Sequence, residues 1–226
     1  MLSSSIFYSG YNILFGILSL FIGIGSTLLI RTSKDFRSLF MFQVGGLCIV
    51  LLTYLTPNEH ILYKIGLNYN FVAFARMILA LLTSVIWLNA AAELHNGKPA
   101  NREILTCYLS ICLTIGLYFS FFNYSQGDIN IFDSIIILLG LSFFILVVLY
   151  RCFSSFNLGN FLLFCSVFIL WGKLFVSAYL FKYNWLNLNI LNWFWLYVFA
   201  AAVIFIKINL LKEDLQKSWN LIDKLN

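Results

Sequence analysis

Charge is scarce in this sequence: of its 226 residues only 10% are Asp, Glu, Lys or Arg, and nine of those are acidic. Proline and histidine each occur twice. So few charges cannot clothe a water-soluble domain of this length, and the lack of Pro-rich or acidic stretches excludes long disordered linkers and tails. The same composition rules out a nucleic-acid-binding module, so nucleic acid is not an expected partner. The five cysteines, Cys48, Cys107, Cys112, Cys152 and Cys165, form no close pair, which excludes a redox motif or a disulfide framework. Four of them fall inside apolar runs, where a free thiol behaves as a small hydrophobe.

What the sequence has instead is apolar surface: 62% of residues are hydrophobic and 19% are aromatic, with a mean hydropathy of +0.91. Apolar stretches long enough to cross about 30 Å of hydrocarbon as helices recur along the chain. Their cores run Asn12–Ile30, Ser38–Leu55, Asn70–Ala92, Ile104–Phe122, Phe132–Tyr150, Asn160–Phe181 and Leu188–Leu210. Polar or helix-breaking separators divide them, among them Arg-Thr-Ser-Lys-Asp, Thr-Pro-Asn-Glu, Asn-Gly-Lys-Pro, Ser-Gln-Gly-Asp and Ser-Ser-Phe-Asn. The separator around Tyr183–Asn187 is the weakest. A membrane barrel needs residues alternating at every second position, and these runs do not alternate. The expected fold is therefore all-α: a polytopic integral membrane protein of seven helices over 1–211, followed by a short amphipathic helix over 212–226 that continues helix seven.

The basic residues choose the orientation, since Lys and Arg near span ends are retained on the cytoplasmic side. With the N-terminus outside, the inner segments hold Arg31, Lys34, Arg37, Lys98, Arg102, Arg151, Lys207, Lys212, Lys217 and Lys224, whereas the outer loops hold only Lys64 and Lys182. The expected arrangement is N-out and C-in, multi-pass, with the lipid bilayer as first partner. The segment Met1–Gly10 lacks the positive charge of a removable signal peptide. Tyr69, Tyr183, Trp185, Trp193 and Trp195 lie near the expected outer boundary, as an anchoring belt of amphipathic rings would. The small residues Ser19, Gly23, Gly45 and Gly46 are expected to let helices approach closely.

Two cations remain inside expected spans, Arg76 in the third and Lys173 in the sixth. An intramembrane cation costs several kcal/mol unless it faces a bundle interior, a hydrated cavity or an anion. Asp133, at the outer start of the fifth span, is the nearest counter-charge by topology, with Asp128 and Glu59 in outer loops. The three residues Arg76, Lys173 and Asp133 outline an outward-opening pocket for a small polar or anionic ligand. The alternative is that the cations reach the headgroups on their long stems or pair with Asp133 to fix packing. The charges from Glu93 to Glu103, with His95 and Lys98, are read as a solvated turn.

Catalysis has no visible machinery. No span carries Gly-x-Ser-x-Gly, His-x-x-x-His or an acid pair at helical spacing, so the expectation is a non-enzyme. His60 and His95 fall on opposite sides of the bilayer and cannot share a metal ion. No metal site and no cofactor is expected. Lys207 is too near the cytoplasmic end for a retinal-type lysine, and Val203 stands where an acid would be needed.

The end of the chain differs in kind. Ile208, Leu211, Leu215, Ile222 and Leu225 follow a three-then-four spacing that only Ser218 interrupts, amid mixed charges. A dimerising or signalling helix, a helix lying on the inner leaflet and a frayed end all fit that pattern.

A last span that runs unbroken into such a helix resembles the seven-helix membrane sensing region of bacterial histidine kinases, diguanylate cyclases and membrane-bound AraC-type regulators. The stretch RMILALLTSVIWLNAAAELHNGKPANREI, Arg76–Ile104, is similar to the corresponding segment of some AraC-type membrane regulators. The resemblance implies sensing of a ligand or of membrane state, transmitted through Leu211, Leu215, Ile222 and Leu225 to a homodimer partner or a separate cytoplasmic signalling partner. No kinase, cyclase or DNA-binding segment is legible up to Asn226. Two other classes stay open: a small transporter or substrate-binding membrane subunit that uses the same pocket, and a non-catalytic protective or assembly protein, immunity-like, that needs none.

Overall fold

A computed structural model describes residue 18 and residues 21–55, 69–122, 126–179 and 191–225. All regular structure among the described residues is helical, in seven segments. The first, α1, covers residues 21–29. It is followed by α2 (Phe36–Leu55), α3 (Tyr69–Asn96), α4 (Arg102–Phe122), α5 (Gln126–Ser154), α6 (Leu158–Tyr179) and α7 (Leu191–Leu225). Among the described residues, four stretches, Phe74–Asn96, Ile135–Ser154, Leu158–Val176 and Phe194–Asp223, are long and apolar enough to cross a membrane; Phe36–Ile49 is apolar but shorter. Large apolar side chains such as Phe21, Leu82, Phe143, Leu146 and Phe168 face outward.

Helix ends follow local chemistry. Gly97 closes α3 in the left-handed conformation, φ 66°, and its N–H donates to the Glu93 carbonyl at 2.8 Å; only glycine takes that conformation without strain. Asn157 caps α6 by accepting the Asn160 N–H at 2.8 Å. The Asn160 amide in turn donates to the Ser155 carbonyl at 2.8 Å, which fastens the tight α5–α6 turn. Helix α5 begins at Gln126, so Gly127 and Asp128, expected in a separator, are helical. The expected ends of span six at Phe181 and start of span seven at Leu188 lie outside the described residues, as do Tyr183, Trp185, Glu59, His60, Lys64 and Lys182.

Within the bundle α5 packs between α3 and α6, α7 packs on α6, α2 on α3, and α4 attaches mainly to α3. The core is an aromatic hub. The Phe42 ring stacks on Phe144 at 4.6 Å and 6°, meets Trp195 edge-on at 5.7 Å, and touches Phe199 and Trp87. Two adjacent glycines of α2 make room for it. A Cβ on Gly45 would lie 2.3 Å from Trp87 Nε1, and one on Gly46 would lie 2.3 Å from Trp195 Cη2. The expectation that these glycines allow close approach is met by indole rings rather than by a second backbone. Trp195 thereby leaves the anchoring belt predicted for it: it is fully buried, because a bare stretch of α2 offers its ring a socket. The side chains of Tyr69 and Trp193 lie outside the description.

Backbones themselves meet at two other glycines. A Cβ on Gly140 would lie 2.8 Å from Ser84 Cα, and one on Gly159 would lie 2.9 Å from the Ile206 nitrogen. Gly140→Ala and Gly159→Ala force α3–α5 and α6–α7 apart and should each cost about 1–3 kcal/mol. At Gly25 and Gly172 an added Cβ would meet nothing within 4 Å, so Gly25→Ala and Gly172→Ala should be neutral or gain up to about 1 kcal/mol of helix propensity. Thermal unfolding of the four variants in one detergent checks the contrast.

Candidate functional site

One end of the bundle collects charge. Asp35 immediately precedes α2, and Arg151 stands in the last turn of α5; each sits where the helix dipole favours its sign. The Arg151 guanidinium donates to the Asp35 carboxylate, and Asp35 is nearly enclosed, at 7% exposure. Arg37 Nε reaches the Glu93 carboxylate at 3.3 Å, and the Ser38 hydroxyl donates to the Ala90 carbonyl at 2.7 Å. His95 meets the Tyr150 ring edge-on at 5.5 Å. The α1–α2 turn, the end of α3 and the end of α5 therefore share this basic end, with Arg31, Lys34, Lys98 and Arg102 around it. The run from Glu93 to Glu103 is not wholly the solvated turn expected. The Glu93 side chain is only 9% exposed, because α3 continues past it to Asn96 and turns it against Arg37.

A polar seam crosses the middle of the bundle. Thr27 Oγ1 lies 3.2 Å from Gln43 Oε1, and both residues are buried. The Ser166 hydroxyl donates to the Trp195 carbonyl at 3.0 Å, and the Trp87 indole N–H donates to the Phe42 carbonyl at 3.1 Å. These bonds tie α1 to α2, α6 to α7 and α3 to α2. On the far side of the hub, the hydroxyls of Ser84 and Tyr108 stand 2.6 Å apart and hold α4 to α3.

The predicted pocket residues fall on α5 and its two neighbours, α3 and α6. Lys173 is enclosed in α6, at 5% exposure. Arg76 is half-buried on α3. Asp133 lies on α5, with its side chain outside the description. Their depths follow from the register. Ser84 abuts Gly140 and His95 meets Tyr150, so α3 and α5 run parallel. Two turns farther from the basic end, that register sets the backbones of Arg76 and Asp133 at one level. The Trp171 indole donates to Ser142 Oγ at 3.1 Å across the antiparallel α5–α6 pair, which puts Lys173 level with Gly140. Lys173 is thus about 10 Å deeper toward the basic end than Arg76 and Asp133, at 1.5 Å per residue. The three positions stand at two levels along the bundle.

The proposed signalling positions are placed as well. Helix α7 is continuous from Leu191 to Leu225, and Leu211, Leu215 and Ile222 are all exposed on it; the Leu225 side chain lies outside the description. Among the described residues, no three His, Cys, Asp or Glu side chains cluster as metal ligands would. The chain matches no family model, no curated protein and no solved structure.

Sequence reasoning passed over the Asp35–Arg151 pair. The available signal was a single acid among Arg31, Lys34 and Arg37, directly ahead of a helix that would favour it. Because both partners are largely removed from water, the pair should show a coupling of about 1–3 kcal/mol in the Asp35→Asn/Arg151→Gln double-mutant cycle. The Arg37→Gln/Glu93→Gln cycle, with an exposed arginine, should give under about 1 kcal/mol. Equal couplings in the two cycles contradict this ordering.

Proposed function

We propose that the protein is a non-catalytic, seven-span sensor of a bacterial inner membrane, N-out and C-in, that takes a small polar or anionic ligand from the outer side and signals through α7. The observation that carries this reading is the burial of Lys173 within an apolar helix. An ammonium in that position is tolerated when water or negative charge reaches it. Arg76 and Asp133, level with each other on neighbouring helices and two turns nearer the opposite end, form the rim of a path to it. A ligand that contacts the rim and Lys173, the floor, together biases the placing of α6 against α5. Because α7 packs along α6 through Gly159 and Ser166, a shift of α6 moves α7 with it, and differential contact is what a two-state receptor needs.

The orientation rests on the basic end. Arg31, Lys34, Arg37, Lys98, Arg102 and Arg151 gather there, and retention of such residues on the cytoplasmic side supports reading it as the inner face. A carrier would use the same rim and floor, whereas a purely protective protein would keep both sealed.

Cysteine accessibility tests the reading. In a variant whose native cysteines are replaced, Lys173→Cys and Arg76→Cys should react with a membrane-impermeant thiol reagent added from the outside, Arg76→Cys faster. Small carboxylates or phosphate should slow the reaction at Arg76→Cys, which keeps the Lys173 ammonium, and not at Lys173→Cys, which lacks it. Failure of both positions to react from either side overturns the pocket; reaction only from the inside overturns the orientation.

A further inference from the structure

The exposed stripe of α7 is longer than the spacing of the C-terminal heptads suggests. Ile204, Ile208, Leu211, Leu215, Trp219 and Ile222 are all exposed and follow one another at intervals of four, three, four, four and three, so they lie in one line along the helix. Trp219 closes the gap that Ser218 leaves. The line begins beside the bundle and continues past its basic end, which α6 reaches at the level of Ile206 through Gly159. From there α7 runs on as an unbroken helix to Leu225, roughly 28 Å farther. Every residue from 211 to 223 is exposed.

Three features select what covers this line. No glycine or proline occurs between Leu191 and Leu225, and a sharp bend needs such a residue or a break in the ladder. A helix that crosses the bilayer and stays straight cannot also lie on the leaflet. Its charged positions nearly balance, with Lys207, Lys212, Lys217 and Lys224 against Glu213, Asp214 and Asp223, so it lacks the large basic surplus that holds interfacial helices to anionic lipid. The same near-balance leaves little net repulsion between two such helices. Finally, the stripe is continuous from the lipid-facing Ile204 to the water-facing Ile222, so its occupant must emerge from the same membrane alongside it. A second copy of this chain has the same orientation in the bilayer and presents the identical line in parallel.

We infer that two copies of the chain pair through α7 about a two-fold axis normal to the membrane, in a parallel two-stranded coiled coil whose bulkiest contact is Trp219. Confinement to one bilayer raises the effective concentration of the second strand, which lets so short a seam hold. The inference rests on the functional reading only for the passage of α7 through the membrane, not for the ligand.

The test uses the full chain in lipid nanodiscs, with the native cysteines replaced. Leu215→Cys and Ile222→Cys, on the stripe, should form disulfide-linked dimers several-fold faster than Lys217→Cys on the opposite face. Trp219→Glu, combined with Leu215→Glu, should convert a two-copy particle to one copy by light scattering, with the melting temperature of the bundle unchanged. Equal rates at the three positions, no linkage at any, adducts only with a different protein, or a single-copy particle before substitution overturns the pairing. Linkage at 215 and 222 without outside reactivity at Lys173→Cys removes the ligand reading and leaves the pairing standing; the reverse pattern removes the pairing alone.

Discussion

The bundle depends on a steric accommodation: two tryptophan indoles set against two consecutive glycines of α2. Trp87 comes from α3 and Trp195 from α7, and each ring occupies the space a Cβ would take on Gly45 or Gly46. Phe42, one turn away, contacts both rings together with Phe144 and Phe199. Helices that are distant in sequence, α2, α3, α5 and α7, therefore converge on one aromatic cluster. In a bundle with an apolar exterior, packing and hydrogen bonds rather than expulsion of water choose the neighbours. The indole N–H of Trp87, bonded to the Phe42 carbonyl, adds direction to what is otherwise shape.

That convergence organises the polar groups as well. Ser166 bonds to the carbonyl of Trp195, so the helix carrying Lys173 is indexed to the same residue that fills the glycine socket. At the basic end, the Asp35–Arg151 pair and the Arg37–Glu93 pair tie α2 to α5 and α3. The middle of the molecule is thus held by rings and its basic end by ions. Helix α4 has a share in neither and is held to α3 by the Ser84–Tyr108 contact and the small cluster of Met77, Leu81, Cys112 and Ile136.

The helices were legible in the sequence because apolar run length and separator chemistry are local signals. Asn157 and Gly97 end or begin helices where turn chemistry puts them. Which face of each helix turns inward was not legible. The runs are apolar almost all round, so hydrophobic periodicity, the usual guide to the buried face, is weak. That is why Trp195 reads from the sequence as a boundary ring and is found at the centre. Asp35 and Glu93 were hidden for a related reason: among loop charges nothing marks which acid will be enclosed, since enclosure depends on α5 and α2 arriving from elsewhere in the chain. For Arg76, Asp133 and Lys173, the helix positions were legible from depth within the runs, whereas the two-turn offset of Lys173 needed the α5–α6 register set by Trp171 and Ser142.

The rigidity of α7 carries a geometric corollary. With Trp195 and Phe199 seated in the hub and no flexible joint before Leu225, the azimuth of the distal apolar line is dictated by how those two rings sit. A rotation at the hub reaches Ile222 undiminished, and a translation of α7 along its axis is delivered in full. The helix is a stiff shaft keyed at one end, and the packing of two aromatic side chains sets the phase of everything beyond it.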